Sequence, residues 1–124
     1  MGLTGTRFDS GQRAGPDPIE RFSSRPDFLV FVYSGASVDP ATITHETPPA
    51  FLVSAADDAG PSQANAALFA ALLAAGVPAE LHIYGRGGHG FGFLGRSPEF
   101  MTWPVSGWPD QLLAWLTDRG ILRR

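Results

Sequence analysis

Residues 50–89 read AFLVSAADDAGPSQANAALFAALLAAGVPAELHIYGRGGH. Ala50 to Ala55 is a continuous run of strand length, the pattern of a strand covered on both faces. The acidic pair Asp57-Asp58 closes it. Pro61 then opens a segment in which Ala64, Leu68, Ala71, Leu72 and Ala75 recur at helical spacing up to Gly76. Proline in the first turn and glycine past the last are the usual asymmetry of helix termini. Val77-Pro78 turns the chain into Glu80 to Tyr84, a further strand, which runs directly into Gly85-Arg86-Gly87-Gly88-His89-Gly90-Phe91-Gly92. Strand, helix and strand with short connections predict a βαβ unit, hence two parallel strands with a helix packed across them.

Working outward, Phe28-Leu29-Val30-Phe31-Val32-Tyr33 is another unbroken run of strand formers, closed by Ser34-Gly35. Gly35 to Pro49 is a polar connection, about 15 residues long and near the minimum for a parallel crossover, so it is expected to be strained or exchanged between chains. On the carboxyl side a loop runs from Phe93 to Val105. Trp108, Leu112, Leu113, Trp115 and Leu116 then form the apolar stripe of a last helix ended by Gly120. Met1 to Arg25 is interrupted by Gly2, Gly5, Gly11, Gly15, Pro16 and Pro18, leaving room for a short helix at best. The expected fold is therefore α/β, one domain over residues 1–124, with a parallel sheet of about three strands per chain and flanking helices.

Composition narrows the function classes. Nine basic against twelve acidic residues, for a formal charge of -3, leave no basic footprint for nucleic acid or an anionic membrane surface. The absence of cysteine excludes disulfides and thiolate metal sites and fits a reducing cytoplasm. No secretory leader and no run of membrane-spanning length is seen, so a cytoplasmic location is expected.

The chemistry-bearing residues converge on one edge. Asp57, Asp58 and His89 follow the carboxyl ends of neighbouring parallel strands, where open α/β sheets place their ligands. Glycine permits close backbone approach and positive φ, so the five glycines around His89 can hold an imidazole out at the strand end. A carboxylate on one ring nitrogen fixes the tautomer and leaves the other as a base or a metal ligand. One of the two aspartates is expected to cap the following helix instead. His45, in the crossover, is read first as an exposed loop histidine and otherwise as one lying on the same side as His89, whereas His82, in mid-strand, is read as structural.

Pro48 to Asp58, Ala75 to Tyr84 and Gly87 to Gly92, with Asp17 to Phe28 and Trp108 to Leu116, resemble the carboxyl-terminal part of an α/β-hydrolase of the acetyl-esterase and acetylxylan-esterase-like branch. The resemblance implies that Asp58 stands where the family's triad acid stands and His89 where its triad histidine stands. It also implies ester hydrolysis. Two departures accompany it. No Gly-x-Ser-x-Gly pentapeptide occurs, so the nucleophile elbow is absent, and with it the oxyanion hole that the residue after the serine helps to build. The lid-like segment of the family is cut out around Thr44-His45-Glu46-Thr47. Met1 to Asp9 reads like the end of the helix that follows the elbow.

Three functions follow from that combination. The first is a hydrolase of small or activated carboxylic or phosphoric esters, in which Asp58 and His89 activate water without a serine nucleophile. In a metal-assisted version, His89, His45 and Asp57 or Asp58 supply N/O ligands with an open water position, a donor set that suits zinc. No spacing here is a diagnostic metal motif. The second is a non-catalytic remnant, and the third is one part of a split hydrolase, each serving binding or assembly. In the resembled fold the strand Phe28 to Tyr33 has a neighbour on its outer side. That neighbour is missing here, and the strand carries no Lys or Pro to protect an edge, so a homodimer with a continuous sheet across the two chains is expected.

Overall fold

The structure, a computed structural model, describes residues 5–35, 38–92 and 98–122. Three strands, β1 (Leu29–Val32), β2 (Ala50–Ala55) and β3 (Ala79–Tyr84), form a parallel sheet in the order β1-β2-β3. Helix α1 (Ala59–Ala74) joins β2 to β3, and α2 (Trp108–Asp118) closes the described chain. The Asp57–Asp58 pair and the His89 loop thus leave adjacent strands at the same carboxyl edge, as the βαβ reading requires.

Register explains the layers. Val30 stands beside Phe51 and Val32 beside Val53, and Ala55 stands beside Tyr84. Alternate side chains therefore share a face. Val30, Val32, Phe51, Val53 and Ala55 face α2 through Trp108 and Trp115, together with Phe91, Phe100 and Val105. Leu29, Phe31, Ala50, Leu52 and Leu81 face α1 through Leu68 and Leu72. The result is helix, sheet, helix, with all six residues of β2 buried. Replacing Leu52 or Leu72 by Ala would cost about 2–5 kcal/mol.

Three details differ from the sequence reading. β1 is shorter than Phe28 to Tyr33, because Tyr33 leaves the extended conformation with φ of 39°. α1 begins at Ala59, ahead of Pro61, which still falls among the first four residues whose N–H groups have no intrahelical acceptor. Leu113 is 55% exposed and does not belong to the buried stripe of α2.

Among the described residues the crossover to β2 carries no α-helix. Asp39 caps a short turn over Pro40–Thr42 by accepting the Ala41 amide at 3.0 Å. Val38 and Pro40 line a recess against Ala64, Ala67, Leu68 and Ala71 of α1. Among the described residues no helix is long and apolar enough to cross a membrane.

Candidate active site

At the end of β2 the Ala56 amide donates to the Tyr84 carbonyl at 2.7 Å and the Asp58 amide turns back to the Ala55 carbonyl at 3.0 Å. This bend sends the two neighbouring acids to different tasks. Asp57 accepts the Gly88 amide at 2.8 Å and the Gly87 amide at 3.1 Å. Asp58 Oδ2 lies 2.7 Å from His89 Nδ1. Neither caps α1 with its side chain: Asp58 occupies the cap position but makes no side-chain bond there. The expectation of a helix-capping aspartate is therefore corrected, since the donors of the histidine loop and the imidazole take both carboxylates.

The amide bonds have an electrostatic consequence. The Gly88 N–H, then the Gly87 N–H, hold the Asp57 carboxyl below its ordinary value of 3.8. These donors stabilise the charged form. Asp57 is a fixed anion that secures the loop one residue ahead of His89.

The glycines make the loop fit. Gly88 and Gly90 have φ of 61° and 75°, a region costly for side-chain-bearing residues. At Gly87 an added Cβ would come within 2.9 Å of the Ala55 Cβ and 3.2 Å of Val105. The loop lies against the sheet end with no space for a methyl group at that point.

His89 is packed on its other side by Tyr33, whose ring centroid is 5.0 Å away at an interplanar angle of 62°. Tyr33 in turn meets Phe91 at 4.9 Å and 85°. Phe91 is buried, packs edge-on against Trp108, and is followed by Gly92, whose carbonyl accepts the Trp108 indole N–H at 2.8 Å. Among the described residues Tyr33 alone has positive φ without being glycine. Sequence reasoning missed it as a site residue. The available signal was an aromatic residue at the strand end directly before Ser34-Gly35.

The imidazole is 65% exposed while Asp58 is 18% exposed, so the carboxylate is sheltered behind the ring it orients. Opposite a carboxylate that only accepts, Nδ1 is the donor of this contact, and in the neutral ring of that tautomer Nε2 is the acceptor. His89 borders a groove of about 370 Å³ lined also by Val30, Phe31, Val32, Tyr33 and Ser34. Ser34 shares this groove but makes no hydrogen bond to His89 among the described residues. Ser54 is fully buried in β2, and Ser37 lies outside the described residues.

His45 is not brought to this edge. It sits in the Thr44–Thr47 turn, where the Glu46 carbonyl accepts Arg25 Nε at 2.7 Å ahead of β1, and Pro49 accepts the Leu29 amide at the start of β1. That is the amino edge of the sheet, opposite His89. The crossover has crossed the sheet before reaching His45. Among the described residues no three His, Cys, Asp or Glu side chains converge on a common point that could hold an ion. The grouping of His89, His45 and Asp57 expected from sequence is thus not formed. His82 contacts Glu80 at 2.7 Å and packs against Phe51 and Tyr84, consistent with its structural reading.

No protein-family model and no curated protein matches the chain. Solved structures do. The chain is similar to the acetyl ester-xyloside bifunctional hydrolase of Caldicellulosiruptor lactoaceticus, with 33% identity and a TM-score of 0.80 over 98% of this chain and 53% of that one. It is also similar to the carboxylesterase Cest-2923 of Lactobacillus plantarum WCFS1, with 17% identity and a TM-score of 0.71 over 87% of this chain and 52% of that one. A third likeness is to MGS-M1, an α/β hydrolase enzyme from a Medee basin deep-sea metagenome, with 21% identity and a TM-score of 0.61 over 76% and 44% of the two chains. The chain spans about half the length of these solved relatives. Over that half its fold is α/β-hydrolase-like, a three-stranded parallel sheet with flanking helices.

Proposed function

We propose that this chain belongs to the α/β-hydrolases and serves ester hydrolysis, with Asp58 and His89 as an oriented general-base pair acting on water. The observation that carries this reading is the 2.7 Å contact between Asp58 Oδ2 and His89 Nδ1 beside an open groove. Support comes from the acetyl ester hydrolase and carboxylesterase among its structural neighbours.

The chemistry is a balanced addition and elimination. His89 Nε2 takes a proton from water as the oxygen attacks the acyl carbon, giving a tetrahedral oxyanion and an imidazolium. Asp58 stays ionised and stabilises that cation. Collapse of the adduct breaks the bond to the leaving oxygen, which receives the proton back from Nε2, and acid and alcohol depart. General-base catalysis of this kind contributes about 10²–10⁴-fold. Small acyl groups with good leaving groups are therefore the fitting substrates, and activated phosphoesters the alternative.

The test is hydrolysis of an activated aryl acetate by purified protein, followed by intact-mass measurement after treatment with a serine-directed phosphonate. Turnover above buffer without stoichiometric labelling supports water attack. Stoichiometric labelling of a serine replaces it with a covalent route, and absence of turnover favours the second reading, a binding or assembly module, to which the outer side of β1, unpaired among the described residues, also points.

A further inference from the structure

His89 lies on a stretch of chain whose two ends are fastened to each other. Arg86 precedes it at the end of β3, and Glu99 follows it. The Arg86 guanidinium joins them: Nη2 donates to Glu99 Oε1 at 3.1 Å, and Cζ lies 3.8 Å from the centroid of the Trp103 ring. Glu99 and Trp103 flank a single 3-10 turn, Phe100–Thr102. That turn is braced from within. The Thr102 amide and hydroxyl donate to the Glu99 carbonyl at 3.0 and 2.6 Å, and the Trp103 amide donates to the Phe100 carbonyl at 3.0 Å. Phe100 is buried in the core beneath α2, with its ring 5.3 Å from that of Trp103. The acceptor and the aromatic face that receive Arg86 are therefore held by the core and not by the histidine loop.

The following residue rests on the same support. Gly87 is pressed between Ala55 and Val105, and Val105 belongs to the next turn, Pro104–Gly107. On the opposite side the Gly87 and Gly88 amides donate to Asp57. We propose that Arg86 is a positioning residue for His89: its guanidinium, held by the Glu99 carboxylate and the Trp103 ring, fastens the histidine loop to the segment Phe100–Gly107 and limits where the imidazole can stand. The proposal rests on the reading of His89 as the general base.

The choice of arginine follows from the contacts. Arg86 and Glu99 are both exposed, and an exposed ion pair alone contributes little. Stacking changes that, because a planar, weakly hydrated guanidinium can lie flat on an indole while its edge still donates to a carboxylate, which an ammonium cannot do. Joining the two ends also removes conformational freedom from the residues between them. The charge of Arg86 reaches the acid across the loop as well: behind the Gly88 and Gly87 amides, it is a lesser cause of the lowered Asp57 carboxyl. A displaced base loses rate steeply, so a modest clamp has a measurable effect on turnover.

The test follows the His89 ring protons by NMR, exchange of the Gly87 and Gly88 amides, and kcat and KM on an activated aryl acetate, in the full chain and in Arg86→Ala, Arg86→Lys and Glu99→Gln. In Arg86→Ala the Gly87 and Gly88 amides should exchange about two- to fivefold faster, while the sheet amides of Tyr33 and Ala56 keep their wild-type rates. The His89 protons, shifted upfield by the Tyr33 ring, should move towards the values of free histidine, and kcat should fall about fivefold with KM within about twofold of wild type. Arg86→Lys and Glu99→Gln should fall between, each keeping one of the two contacts. Should Arg86→Ala fail to fold, Glu99→Gln carries the same readouts, since its exposed side chain leaves the core untouched. Wild-type exchange and His89 shifts in the folded variants overturn the proposal. So do sheet amides that accelerate equally, which would make Arg86 a source of general stability, and an Arg86→Lys protein equal to wild type, in which charge alone would suffice. Altered NMR signals with an unchanged kcat overturn it too. A wild-type protein without turnover removes the hydrolase reading instead, and the exchange rates and His89 shifts then decide the clamp by themselves.

Discussion

Asp57 accepts the Gly88 amide at 2.8 Å, and so fastens the backbone one residue before His89 to the end of the neighbouring strand. The histidine is thereby positioned twice: through its backbone by Asp57 and through its ring by Asp58. Asp57→Ala should free the Gly87 and Gly88 amides. We expect a loss of about 1 kcal/mol, kept small by exposure, and a fall in ester hydrolysis of roughly tenfold. Asp57→Asn, which keeps an acceptor oxygen, should lose less of both. Thermal melting and initial rates on one set of preparations check this, and a rate in Asp57→Ala equal to wild type would remove the loop from the account.

The same bonds predict an acid response. The Asp57 carboxyl is held below 3.8 in the folded chain and returns to that value when unfolded. Its contribution is therefore present above pH 3.8 and is lost as pH falls through the lower folded value. The Gly88 amide shift should titrate with a midpoint below 3.8. A midpoint above 3.8 would reverse the sign and refute the assignment.

Tyr33 presents a third support. A non-glycine residue at positive φ costs of order 1–3 kcal/mol, and here it places an aromatic edge against the imidazole. Tyr33→Phe should keep the rate within about twofold, because the ring and not the hydroxyl makes the contact. Tyr33→Gly relaxes the backbone yet removes the ring, so the rate should fall while the upfield ring-current shift of the His89 protons disappears. Equal rates in the two variants would show that the ring contact is idle.

Gly87 and Gly85 separate packing from loop flexibility. A Cβ at Gly87 would collide with Ala55, whereas one at Gly85 meets nothing within 4 Å. Gly87→Ala should destabilise by about 1–3 kcal/mol and Gly85→Ala by well under 1 kcal/mol in chemical denaturation. Similar losses at both positions would mean that the loop does not lie against the sheet as described.

Much of this arrangement was legible in the residues. The β2, α1, β3 and histidine-loop succession could be read from apolar periodicity and from Pro61 and Gly76, because those signals are local. The division of labour between Asp57 and Asp58 was not, since it depends on which donors the loop brings back from thirty residues away. His45 is the exposed loop histidine that the sequence favours, but its side of the sheet was not legible, because a polar crossover carries no mark of where it has already recrossed the sheet. The Arg25 bond to the Glu46 carbonyl and the Leu29 bond to the Pro49 carbonyl show that. Tyr33 escaped notice for a similar reason: its φ and its contact with His89 are set by the turn after β1.

The central claim is that Asp58 and His89 act as one base. The most direct measurement is the rate of hydrolysis of an activated aryl acetate by wild type, His89→Ala, Asp58→Asn and the double variant, each shown to be folded by its unfolding transition. The account predicts that His89→Ala falls to the buffer rate, that Asp58→Asn loses at least 10²-fold, and that the double variant is no slower than His89→Ala. A folded His89→Ala protein that retains the wild-type rate would contradict it.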